Sequence, residues 1–434
     1  MFIGTMRNGK NDIQQAFLEL MRGGLWENEV RLSQFGEVDY EEVMRLAEDQ
    51  SVVGLVTAGL EHVKDVKVPQ EWVLQFVGLS LQIEQRNEAM NAFIEDLYGR
   101  MQRRDMYSIL MKGQGIAQCY ERPLWRTSGD IDLLVNGDNY DKTKKWFRTI
   151  GQVDEDENEF RKRVNMTVDS WDVELHGTMR GLLGQRIERG IDEAQRDVFY
   201  RGSVRSWYNG KITVFLPSAD NDVIFIFTHI LQHFFRGGIG LRQICDWCRL
   251  MWTYRAELDL RLLESRIKRM GVMSEWRAFA ALAVEYLGMP VEAMPFFNQN
   301  EDANENNGSW TSQAAGPSAT GSPQVNENRR LKWKAERIMN YVMEVGNFGH
   351  NRDMSYKTEK PFMVRMMISL KHRTNDFMKQ VMVFPKDAIR AYWYVWMTGL
   401  GVVMQERGDK NGGTGTCFTR DHETRREIKD QGTL

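Results

Sequence analysis

Gly129-Asp130-Ile131-Asp132-Leu133-Leu134-Val135 is the stretch on which the reading of this chain turns. It follows Thr127-Ser128, and its apolar run from Ile131 to Val135 reads as a buried strand. Side chains two residues apart on a strand share a face, so Asp130 and Asp132 project together while Ile131 and Leu133 face the other way. Two carboxylates so placed are suited to Mg²⁺, which takes oxygen ligands and is commonly shared with substrate phosphates. In isolation the same pattern more often describes a polar strand edge.

The neighbouring segments add to it. Trp171-Asp172-Val173-Glu174-Leu175-His176 reads as a second strand with acids on one face. Three carboxylates within about 4 Å of one another repel by roughly 4 kcal/mol per pair at an effective dielectric near 20, so such a cluster needs a divalent cation or a proton. Upstream, Ile109-Leu110-Met111 is a short buried strand that stops at Lys112-Gly113-Gln114-Gly115. That turn offers backbone N–H groups and an ammonium to a polyphosphate. The stretch from Tyr140 to Ile150 has helical spacing and ends at Gly151, and Arg161 to Met166 reads as a further strand.

Leu110-Met111-Lys112-Gly113, then Tyr120, Pro123 and Arg126, then Asp130 to Val135 resemble the nucleotidyltransferase superfamily of the DNA polymerase β type. The similarity is closer to a bacterial branch with the pattern LKG…Y…P…R…DIDLLV. Val173-Glu174-Leu175-His176 is similar to that branch's third-carboxylate strand, and His229, His233, Leu241-Arg242 and Asp246 to its helical part. The resemblance covers roughly residues 30 to 290. It implies that Asp130, Asp132 and Glu174 are catalytic and hold Mg²⁺ (or Mn²⁺), and that an NTP is the substrate. It also implies nucleotide-binding roles for Lys112, Gly113, Arg126, Gly129 and His176. Gly113-Gln114 departs from the Gly-Ser or Gly-Gly usual at this turn, and Lys112 and Arg126 are the expected substitutes for the missing hydroxyl. Asp172 is an alternative third carboxylate, and His176 is either an orienting group for Glu174, a nucleotide contact or a buried structural histidine.

The rest of the chain reads as helical. Among 434 residues there are 9 Pro and 25 Met, a balance that suits helices because unbranched side chains lose little rotamer freedom there. With 57 Lys plus Arg against 60 Asp plus Glu, the net charge of -3 excludes nucleic-acid binding by bulk charge. The expected fold is α+β, a small mixed-sheet nucleotidyltransferase core flanked by N- and C-terminal helical regions. The expected boundaries are a helical region over 1–103, the α/β core over 104–217 and a helical domain over 218–297. A disordered linker over 298–328, a helical region over 329–407 and a flexible tail over 408–434 complete them.

No window reaches the 18 to 20 apolar residues or so of a membrane span, and the N-terminus has no signal-peptide core, so a cytoplasmic location is expected. Cys119, Cys245, Cys248 and Cys417 are too few and scattered for a disulfide framework and read as buried thiols. His229 and His233, four apart on one helix face, read as packing histidines or a metal pair. Arg242 and Asp246 read as an i,i+4 ion pair, and Met363, Met366, Met367, Met378 and Met382 as core filler. The aromatic run 391–397 reads as a core helix, with a membrane-surface or partner-binding helix as the alternative.

The function expected is transfer of a nucleoside monophosphate from an NTP to an acceptor, with release of pyrophosphate. A small molecule or protein is favoured over nucleic acid as acceptor. The alternatives are a degenerate nucleotide-binding scaffold of the same fold and a kinase-like phosphotransferase.

Overall fold

The apolar runs on either side of the carboxylate motif become strands at the centre of a sheet. In the computed structural model, which describes residues 9–153, 162–297, 323–349 and 362–393, β1 (Ile109–Met111) pairs antiparallel with β2 (Ile131–Leu134). β3 (Gln152–Val153), β4 (Arg163–Val168), β5 (Trp171–His176), β6 (Val204–Asn209) and β7 (Ile212–Pro217) complete a 7-stranded mixed sheet. Its order is β3-β4-β5-β2-β1-β7-β6, with β2 parallel to β5 and β1 parallel to β7. Every residue of β1 and β2 is buried, as central strands covered on both faces require.

Before the sheet come α1 (Gly9–Trp26), α2 (Tyr40–Asp49), α3 (Val53–Glu61) and α4 (Gln70–Gln102). Asp39 caps α2 by accepting the Glu42 N–H at 3.0 Å. α1 and α3 cross at glycines, since a Cβ on Gly59 would lie 1.9 Å from the Leu20 carbonyl oxygen. Within the sheet region lie α5 (Gly113–Ala117), α6 (Gly137–Ile150) and α7 (Gln185–Tyr200). After it come α8 (Ala219–Arg236), α9 (Leu241–Thr253), α10 (Leu260–Met270), α11 (Met273–Leu287), α12 (Pro323–Val345) and α13 (Phe362–Val383). The fold is therefore mixed α/β with helices on both ends of the chain, as expected.

The two faces of the sheet belong to different cores. Leu110, Ile131, Leu133, Val173 and Leu175 pack with Phe93, Ile94 and Leu97 of α4 and with Tyr140 and Phe147 of α6. Ile109, Met111 and Leu134, on the opposite face, join a larger cluster that includes Phe227, Ile230 and Phe234 of α8 and Trp276 of α11. The period-2 alternation that buries Ile131 and Leu133 against α4 thereby turns Asp132 toward the α8 side.

Some local readings change. α12 begins at Pro323, inside the stretch read as linker, while residues 298–322 and the tail 408–434 lie outside the described residues. Met367, Met378 and Met382 are exposed rather than core filler, because they lie on the outer side of α13, whose inner side contributes Val383 to the core. The side chains of Met363 and Met366 lie outside the described residues. Of the aromatic run, Ala391 is buried and Trp393 exposed, and 394–397 lie outside the described residues. Cys119, Cys245 and Cys248 are buried free thiols, and Cys417 lies outside the described residues. No helix among the described residues is long and apolar enough to cross a membrane.

Candidate active site

Strand register brings two of the motif acids together. Asp132 of β2 stands opposite Glu174 on the parallel neighbour β5 and opposite Met111 on β1. His176, two residues beyond Glu174, shares its face. Its Nε2 lies 2.8 Å from Asp132 Oδ1 and 3.3 Å from Glu174 Oε2. Lys112, the residue after β1, donates from Nζ to the same Asp132 Oδ1 at 3.0 Å. Arg163 of β4 donates to Glu174 Oε1 at 2.6 Å. Sequence reading missed Arg163, although its place with Asn165 and Thr167 on the polar side of an alternating strand was a usable signal.

One ligand atom each from Asp132, Glu174 and His176 lie within 4.8 Å of one another, the spacing of a possible metal site. Asp130 is not part of this group: it precedes β2 and its side chain is exposed. Gly129 beside it is half-buried. Asp172 is exposed at the start of β5, opposite Thr167.

The electrostatics follow from these contacts. Burial alone would raise the Asp132 carboxyl, but the charge of Lys112 and the bond from His176 hold it well below the ordinary range. Burial would lower His176 and Lys112, yet the surrounding acids outweigh it and raise both. Asp130 goes the other way, pushed up to about 6 by desolvation and by the like charges of Asp132 and Glu174. Because its side chain touches solvent, like-charge repulsion is the part of that shift that carries weight.

The turn between β1 and α5 is strained. Lys112 has φ +52° and ψ −140°, a conformation unusual for a residue with a Cβ, and Gly113 follows at φ +42°. The Lys112 carbonyl accepts the Ile116 N–H and its ammonium is held by Asp132, which fix the turn from both ends. A Cβ on Gly113 would lie 3.5 Å from the Asp130 carbonyl oxygen, so this turn packs on the backbone of the motif. Gln114 stands at the usual serine position and faces inward. Its Nε2 donates to Asn87 Oδ1 on α4 at 2.8 Å and to Ser128 Oγ at 3.2 Å.

Tyr120, Arg126 and Asp246 form one buried cluster. Arg126 binds Asp246 through Nε at 2.8 Å and a terminal nitrogen at 2.6 Å, and the Tyr120 hydroxyl donates to the same carboxylate at 2.8 Å. Arg126 also donates to Ser128 Oγ at 2.9 Å. The expected Arg242–Asp246 pair gives way to this one, because a buried carboxylate gains more from a bidentate guanidinium than from an i,i+4 neighbour. Arg242 donates instead to the Thr127 carbonyl at 3.0 Å, and burial with the nearby Arg126 lowers it to about 10. The loop that delivers Asp130 and Asp132 is thus tied to α4 through Asn87 and to α9 through Asp246 and Arg242.

A cavity of ≈ 40 Å³, enough for a few waters, lies between the site, α7 and α8. Lys112, Arg163, His176, Arg180, His229 and Gln232 give it its polar lining. His229 and His233 meet at 3.0 Å between their Nε2 atoms, and burial followed by the charge of Lys112 lowers both, His233 to about 3. The pair is therefore neutral, with one ring donating to the other.

A family model described as an uncharacterised nucleotidyltransferase matches residues 36–288, more than half of the chain. No curated protein and no solved structure matched.

Proposed function

Because the chain belongs to the uncharacterised nucleotidyltransferase family, we propose that it transfers a nucleoside monophosphate from an NTP to an acceptor. An acceptor oxygen forms the new bond to the α-phosphorus, the bond from that phosphorus to the β-phosphate's bridging oxygen breaks, and pyrophosphate leaves with the electron pair. The observation that carries this reading is the register of Asp132 against Glu174, which sets two carboxylates side by side next to Lys112.

The donor chemistry fits a divalent ion. The cluster offers two carboxylate oxygens and an imidazole nitrogen within 4.8 Å of one another, a donor set that a divalent ion would accept. Asp132 and Glu174 would hold Mg²⁺ or Mn²⁺, with Asp130 at the rim as the third acid. When bound, such an ion supplies positive charge to the phosphate oxygens and makes the acceptor hydroxyl more acidic. Lys112 adds an ammonium for the triphosphate, and Gly113 lets a phosphate approach the backbone. Arg126 fixes Gly129 and Asp130 from behind through its bonds to Asp246 and Ser128. His176 orients both acids. A small molecule or a protein side chain suits the acceptor role better than nucleic acid, given the net charge of -3. NTP use agrees with a cytoplasmic setting.

The test is incubation with Mg²⁺ and α-labelled NTPs. Wild type transfers label to an acceptor and releases pyrophosphate, while Asp132→Asn loses at least 100-fold, on the order expected for removing a transition-state charge stabiliser. Undiminished transfer by Asp130→Ala plus Asp132→Ala removes the site assignment. Transfer of a γ-label with NDP as the product points to the kinase-like route instead. A second reading, nucleotide binding without turnover, is favoured by one observation: Gln114 is buried against Asn87 and Ser128 and offers the triphosphate no hydroxyl. Calorimetric NTP binding with no transfer to any acceptor supports it.

A further inference from the structure

We infer that His176 is itself a ligand of the ion, completing an O,O,N set with Asp132 and Glu174, and that this nitrogen makes the site prefer Mn²⁺ to Mg²⁺. The inference rests on the metal-dependent reading above for the presence of an ion, and on the side-chain geometry for the rest.

Three observations carry it. The Nε2 of His176 faces both acids at once, 2.8 Å from one and 3.3 Å from the other, so it lies where a third ligand of the same ion would lie. The group of possible ligand atoms within 4.8 Å contains Asp132, Glu174 and His176 and omits Asp130. His176 also lines the cavity together with Lys112 and His229, so its ring borders open space rather than packed side chains.

The chemistry then ranks Mn²⁺ against Mg²⁺. Mg²⁺ demands near-ideal octahedral geometry and holds to oxygen ligands, whereas a transition ion such as Mn²⁺, which shares those oxygen ligands, loses less when one donor is an imidazole. Mn²⁺ is the weakest binder of the first-row series, so the nitrogen ranks Mn²⁺ above Mg²⁺ and the later ions above both. Replacing one carboxylate of a three-acid site by an imidazole also removes one negative charge, which weakens Mg²⁺ more than an ion that bonds well to nitrogen. Lys112 fits the same picture. Its ammonium on Asp132 Oδ1 supplies the positive charge that an ion would otherwise bring, so a bound ion and this contact compete.

The experiment is Mn²⁺ binding to the full chain, followed by electron paramagnetic resonance, with Mg²⁺ affinity measured by competition. Pulsed spectra of the bound Mn²⁺ are expected to show ¹⁴N modulation in wild type and none in His176→Gln. The substitution is expected to weaken Mn²⁺ roughly tenfold or more and Mg²⁺ by much less, so the preference between the two narrows. Equal losses for both ions would mean that His176 only orients Asp132, and would overturn the inference. So would bound Mn²⁺ without ¹⁴N modulation in wild type, or modulation that persists in His176→Gln, which would point to His229. If His176→Gln misfolds by circular dichroism, His229→Gln decides instead: modulation that persists there supports the inference, and modulation lost there overturns it. Failure of wild type to bind either ion removes the metal-dependent reading as well. Mn²⁺ bound through oxygen only removes this inference and leaves that reading standing.

Discussion

Asp130 and Asp132 are two residues apart and chemically alike, yet their surroundings drive them in opposite directions. Lys112 and His176 hold Asp132 ionised, while Asp130, at the rim, is pushed up to about 6. The raised value means that the native protein keeps a proton on Asp130 at pH values where the unfolded chain has already lost it. Its contribution to stability is therefore present at low pH and is lost as pH rises from about 4 through about 6. Asp130→Asn, which removes the repulsion, is expected to stabilise the metal-free protein at pH 7.5 by about 1 kcal/mol or less, since solvent screens an exposed carboxylate. At pH 3, below both values, it should change almost nothing. Thermal melts in chelator at the two pH values check this; an equal effect at both would mean that charge is not the cause. The pairing of acids was legible in the spacing of the motif, but this divergence was not. It depends on Lys112 and His176, which arrive from two other strands, and on the end of β2 falling between Asp130 and Ile131.

At the scale of elements, the motif residues divide into those that face the cavity and those that hold the loop. Tyr120 and Arg126, which the sequence pattern groups with the acids, meet Asp246 of α9 in a buried cluster. Asp246→Ala leaves the guanidinium of Arg126 buried without its counter-ion. Breaking a buried pair from one side costs about 3–5 kcal/mol, whereas replacing both members by apolar groups is often near neutral. Urea denaturation should therefore show a large loss for Asp246→Ala and a smaller one for Arg126→Met combined with Asp246→Leu. A loss below about 1 kcal/mol for the single variant would show that water reaches Arg126. Strands β1, β2, β4 and β5 and helix α6 were legible because apolar runs, helical spacing and a terminal glycine are local. The Arg126–Asp246 pair was not, because it spans 120 positions and competes with a plausible local partner in Arg242. The exposed methionines of α13 were misread for a related reason: composition does not say which side of a helix is covered.

Over the whole molecule, the texture change near residues 104 and 217 marks where strands begin and end, and the packing crosses it freely. One apolar cluster runs from Ala16 in α1 through α8, α9 and α11 to Ala391, and it takes in Ile109, Met111 and Leu134 of the sheet. The other face of the sheet is closed by Met90, Phe93, Ile94, Leu97 and Met101 of α4. The helical ends also meet each other. Trp26 donates to the Leu287 carbonyl at 2.6 Å, and Gln50 links α2 to the Leu241 N–H at 2.9 Å and to the Val342 carbonyl at 3.2 Å. A fragment of residues 104–217 would keep every strand with α6 and α7, and would lose α4 from one face and α8 from the other. Each large apolar side chain contributes about 1.5–3 kcal/mol on full burial. The α4 residues alone then represent about 10 kcal/mol, as much as the whole stability of an ordinary domain. The isolated fragment is accordingly expected to show no cooperative thermal transition and little dispersion in its amide proton spectrum. The full chain should melt cooperatively with its site intact. A cooperative melt from the fragment would make the α/β block a folding unit of its own. In the expected case the site owes its geometry to helices distant in sequence, and substitutions in α4 or α9 that never approach the cavity should lower metal affinity along with stability.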